Sequence, residues 1–137
     1  MISSNISFTF GDIIEFYESK YVFLVATLRF VFIARILTEY NTKEAESLLK
    51  IHQNKGSSVE ENPLFWFVRL TTEDFQGQWA HLAHAQQSSD SSKFFKKISS
   101  KKLVEADLIA LKKEILEKRT WPELKREIKD IPTTNVR

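Results

Sequence analysis

Residues 21–37 read YVFLVATLRFVFIARIL, and the reading of this run decides the fold. It has 17 residues, and Arg29 and Arg35 are its only charged members. A spanning helix needs about 20 mostly apolar residues, and each arginine near the bilayer centre costs roughly 2.5–3.5 kcal/mol. Glu15, Glu18 and Lys20 precede the run and Glu39 follows it. The start MISSNISFTF carries no positive region of the kind that opens a secretory signal. These features point to a buried element, not a membrane span.

Read at helical spacing, the run is apolar nearly all round, as a central helix covered by neighbours would be. Phe16, Phe23 and Phe30 recur every seven residues, and so do Tyr17, Leu24 and Val31. Arg29 and Arg35 lie roughly 600° apart around such a helix, so they leave on different sides. Each arginine is expected to keep its head in water or to pair with a carboxylate. The sharper alternative is that one or both reach a phosphate or a neighbouring subunit.

Outward from the run, the chain offers helix-start signals. Thr9-Phe10-Gly11-Asp12 has N-cap spacing, which predicts a helix over about residues 10–40. Asn41-Thr42-Lys43-Glu44 reads as a capping box for a second helix to about His52. Asn62-Pro63 opens a third, through the strand-length segment LFWFVRL at residues 64–70. A fourth is expected from Thr71 or Thr72 to near Gln87, weakened by Gly77. SSDSS at residues 88–92 reads as a linker. ADLIALKKEILEKR at residues 106–119 is amphipathic, with Leu108, Leu111, Ile115 and Leu116 in one stripe. Thr120-Trp121-Pro122-Glu123 starts a last helix over about 121–129, and residues 131–137 read as a frayed tail. The expected fold is all-α: one domain over residues 1–137, a single helical bundle of five to seven helices.

Composition narrows the chemistry. The 137 residues include 11 Phe, 3 Trp and 3 Tyr, but only 3 Gly, 3 Pro and no Cys. Rings on this scale fill a core, and few turn residues favour long helices over many short strands. The lack of cysteine removes disulfides, thiolate catalysis and cysteine-based metal sites, and fits a reducing, cytoplasmic setting. Three isolated glycines build no phosphate loop, and no nucleophile elbow is present. His81 and His84 share a helix face at three-residue spacing, yet no third ligand is specified, so both are read as core or surface histidines. The acid pairs Glu60-Glu61 and Glu73-Asp74 sit near helix starts, where a structural role suffices. We therefore expect no enzyme activity, no metal and no cofactor.

Charge is the strongest functional signal. Residues 1–92 carry 7 Lys/Arg against 11 Asp/Glu, whereas residues 93–137 carry 13 against 7. Lys93, Lys96, Lys97, Lys101, Lys102, Lys112, Lys113, Arg119, Lys125 and Arg126 are the candidate nucleic-acid contacts, with Arg29 and Arg35 as secondary ones. Such side chains contact phosphates and release counterions. The bland reading is a solvated helix face, since Glu105, Asp107, Glu114 and Glu117 intermix with them. No base-reading motif accompanies the lysines, so contacts should be to backbone. Phe94, Phe95, Trp79 and Trp121 would stack on bases where exposed, although core packing is the expectation for most of them.

A small, cysteine-free chain read as helical, with no enzyme motif and a basic face, resembles the small helical subunits of CRISPR–Cas effector complexes, and the capping boxes, the segment LFWFVRL and the cluster KFFKKISSKK are compatible with that. It also resembles the C-terminal helical domain of the large subunit of such complexes. The resemblance implies several copies stacked in a ribonucleoprotein, with basic faces along a guide–target duplex or a displaced strand. It assigns no individual residue. The expected function is thus a non-enzymatic subunit that binds nucleic-acid backbone and packs against other protein subunits. The alternatives are a protein-only helical adaptor, inhibitor or immunity-type module, and a peripheral membrane protein docking through the basic segment.

Overall fold

The structure, a computed structural model, describes residues 8–37, 47, 67–82, 86–97, 102–117 and 121–133. It overturns the all-α helical bundle. The described chain is dominated by one antiparallel sheet, of strands β1 (Ile13–Phe16), β2 (Ser19–Ala26), β3 (Phe30–Leu37), β4 (Phe67–Arg69), β5 (Trp79–His81), β6 (Gln86–Ser88) and β7 (Lys96–Lys97). Two helices follow, α1 (Glu105–Glu117) and α2 (Pro122–Lys129). The run at 21–37 is a hairpin of β2 and β3, and no helix among the described residues is long and apolar enough to cross a membrane.

The physical reason lies in what each strand covers. Val22, Leu24, Val25, Phe32, Ala34 and Ile36 face one buried cluster, while Phe23, Val31 and Ile33 face a second. A strand buried on both faces loses the polar alternation of a half-exposed one and reads as a continuous apolar run, which periodicity alone does not separate from a buried helix. The seven-residue recurrence dissolves in the same way. Phe16 and Phe23 enter one cluster, Phe30 packs against the other, and Tyr17 is exposed. A bulge between Phe23 and Val25 inserts Leu24 and shifts the register, so Leu24 and Val25 both serve the helix-side cluster.

Neither of the two tight hairpin turns, β1–β2 and β2–β3, carries the usual turn residues. Tyr17 and Glu18 link β1 to β2 with φ of 51° and 66°, the left-handed pair that normally calls for Asn-Gly. Leu28 and Arg29 link β2 to β3. There Thr27 closes the turn: its amide donates to the Phe30 carbonyl at 2.7 Å, and its hydroxyl accepts from the Phe30 amide at 3.1 Å.

The strand order is β4-β5-β3-β2-β1-β7, with β6 also on β3. β5 pairs with the last residues of β3 and β6 with the first. A 3-10 turn (Ser89–Phe94) then carries the chain from β6 to β7, which pairs with β1. The path β3-β2-β1-β7 thus returns along the chain to β6 on β3, and the sheet curls around Ile14, Phe16, Phe23, Val31, Ile33 and Phe95. Residues 88–92, read as a linker, lie in β6 and this turn.

α1 and α2 cover the opposite face. Leu108, Leu111 and Ile115 of α1, and Leu124 and Ile128 of α2, pack on Phe10, Val22, Phe32 and Val68. The amphipathic stripe of residues 106–119 is therefore the packing surface, with Leu116 left partly exposed. Asp107 ties α1 to the segment after β4. Its buried carboxylate accepts from the Thr71 amide and hydroxyl and from the Thr72 amide and hydroxyl, at 2.6–3.0 Å. The helices expected over residues 10–40, 64–70 and 71–87 are replaced by strands and a 3-10 turn (Glu73–Phe75) wherever those residues are described. The expected helix to His52, with its capping box at 41–44, lies outside the described residues apart from residue 47.

Candidate nucleic-acid interface

The sheet register builds a row across four strands. Tyr21 of β2 lies opposite Arg35 of β3, Arg35 opposite His81 of β5, and His81 opposite Phe67 of β4. Residues directly opposite share a face, so the four side chains stand side by side, about 5 Å apart at Cβ. A second row on the same face sets Leu37, Trp79 and Arg69 in line. Within this surface the Phe67 ring stacks on the His81 imidazole, with centroids 4.4 Å apart and planes at 15°. The Trp79 ring meets Phe67 edge-on at 5.9 Å, and the Arg69 guanidinium lies 5.6 Å from the Trp79 ring centre. Tyr21, Arg35, Phe67 and Trp79 are half-buried, Arg69 is exposed and His81 is buried.

Chemically, the patch combines flat π faces with two permanent cations. Guanidinium groups stack on rings and meet phosphate oxygens with several donors at once. Aromatic rings that a sheet face leaves partly exposed, as Tyr21, Phe67 and Trp79 are here, can act as stacking platforms for unpaired bases, while His81 and Leu37 of the same face are buried.

The sequence-predicted contacts fall elsewhere, on separate layers. Lys93 is exposed on the 3-10 turn, with its amine 5.4 Å from the Phe94 ring centre. Lys96 is exposed on β7 but faces Glu15 across the strands, and Glu15 faces Lys20 in turn. Lys97 pairs in backbone register with Ile14. Lys102 is exposed just before α1. On the helical layer Lys113 and Arg126 are exposed and Lys125 is half-buried, whereas the Lys112 amine donates to the Ile131 carbonyl at 2.8 Å and so clamps α1 to the end of α2. Lys101 and Arg119 lie outside the described residues. Arg29 is exposed at the β2–β3 turn, 5.8 Å from the Phe30 ring centre. Of the predicted residues that are described, only Arg35 joins the aromatic rows.

Among the aromatics weighed for stacking, Phe95 is buried, Trp121 packs 6.1 Å from Phe32, Phe94 is exposed and Trp79 belongs to the sheet-face patch. Arg69, Phe67 and Tyr21 carried no separate signal in the sequence. Strand alternation in LFWFVRL, which puts Phe67 and Arg69 on one face, was the pattern available to find them. His81 stands on a strand, not a helix, and His84 lies outside the described residues. Among the described residues no group of three or more His, Asp or Glu side chains is placed to hold a metal ion.

The resemblance to CRISPR–Cas small subunits rested on helical character, and the sheet removes that support. Comparison with protein-family models, curated proteins and solved structures finds no match to this chain.

Proposed function

We propose that this chain is a non-enzymatic binder of single-stranded nucleic acid, acting through the aromatic and arginine face of its sheet. The observation that carries the reading is the cross-strand row Tyr21–Arg35–His81–Phe67 beside Trp79 and Arg69. Unpaired bases stack on Tyr21, Phe67 and Trp79, while Arg35 and Arg69 meet the adjoining phosphates. Duplex presents no free base faces and binds more weakly. The cysteine-free composition is compatible with a cytoplasmic setting.

Fluorescence anisotropy with a labelled single-stranded oligonucleotide over a salt series tests this. Log affinity should fall linearly with log salt. Arg69→Ala, at an exposed position, should weaken binding across sequences and lower the salt slope by about 1. No binding at low salt removes the reading and leaves the protein-only adaptor in its place.

A further inference from the structure

Two exposed rings that the core does not use meet at the β1–β2 hairpin tip: Tyr17 of the hairpin turn and Phe94 of the 3-10 turn before β7. Tyr17 is 75% exposed and Phe94 is 53% exposed, and their rings stack with centroids 6.2 Å apart and planes at 28°. Tyr17 sits at φ 51°, a conformation a bulky side chain rarely adopts. Asn or Gly would fit that turn with less strain, and so exposed a ring gains little from burial to offset it. The Phe16 ring lies 4.5 Å from Tyr17 and 6.1 Å from Tyr21. An aromatic line thus runs from Phe94 through Tyr17 and Phe16 to Tyr21, the first member of the sheet-face row.

We propose that Tyr17 and Phe94 form a second stacking station for the same strand, with Lys93 meeting the phosphate beside it; this rests on the reading above. Tyr17 occupies its left-handed position to hold a ring in solvent. Glu18 and Asp90, both exposed, repel phosphate and direct the backbone to the Lys93 side. From β1 to β4 the platform spans roughly 19 Å at ordinary strand spacing. A short oligonucleotide therefore covers the sheet face alone, and a longer one reaches the hairpin tip.

The experiment is an anisotropy series on the full chain with oligouridines of about three to about eight nucleotides. Wild type should bind the long strand more tightly than its added phosphates alone explain. Phe94→Ala and Tyr17→Asn should each weaken the long strand about tenfold and leave the short one unchanged. In urea, Tyr17→Asn should be at least as stable as wild type, so weaker binding cannot come from unfolding. If both variants bind the long strand like wild type while Arg69→Ala weakens it, the hairpin station is wrong and the sheet face stands. If wild type binds no oligouridine of any length, both proposals fail.

Discussion

At the scale of single residues, two glycines separate backbone strain from crowding. Gly11 has φ of 96° and Gly77 has φ of 85°, where a side chain is strained in either case. A Cβ on Gly77 meets nothing within 4 Å, whereas one on Gly11 comes to 2.6 Å from Leu108 Cδ2. Gly11 also links β2 to the segment before α1: its amide donates to the Phe23 carbonyl at 2.9 Å and its carbonyl accepts from the Leu103 amide at 3.1 Å. Gly77→Ala should cost about 1 kcal/mol, the backbone effect alone. Gly11→Ala should cost more, by on the order of 1 kcal/mol, because Leu108 of α1 must also move. Urea midpoints of the two variants check this ordering.

Between elements, Asp107 ties α1 down by hydrogen bonds, beside the apolar packing of Leu108, Leu111 and Ile115. Five donor–acceptor contacts from Thr71 and Thr72 converge on its carboxylate, and the Thr72 hydroxyl also accepts from the Val104 amide at 2.9 Å. Asp107→Ala leaves buried donors unpaired and should cost about 2–4 kcal/mol in urea unfolding. An exposed acid on the same helix, Glu117, should be nearly silent when replaced. This tie also shows what sequence could and could not reveal. The two C-terminal helices were legible, because an apolar stripe and a Trp-Pro start are local signals. The sheet was not. Its strands carry apolar residues on both faces, and its two tight hairpins turn at Tyr17-Glu18 and Leu28-Arg29 without Gly, Asn or Pro. Asp107 read as one acid among lysines because its partners lie 35 and 36 residues away. The aromatic rows were hidden for the same reason. Tyr21, Arg35, Phe67 and His81 become neighbours only through strand pairing. In the sequence Arg35 stood out for its charge and His81 for its spacing to His84, and neither pointed to the other.

On the scale of the whole molecule, the sheet has one face covered by α1 and α2 and another that curls around Phe16, Phe23 and Phe95. Beyond the curl, β3, β5 and β4 carry the aromatic rings and arginines. The basic residues of the helical layer, Lys113, Lys125 and Arg126, lie with the helices that cover the opposite face. Two surfaces thus compete for the role of binding site, and they differ in chemistry: one has charge alone, the other has charge with rings. Photo-cross-linking of a 4-thiouridine-containing strand to the full chain, followed by mass spectrometry of the peptides, separates them most directly. Binding on the sheet face gives adducts at Tyr21, Phe67 and Trp79. Adducts confined to α1 and α2, or none at all, would contradict it.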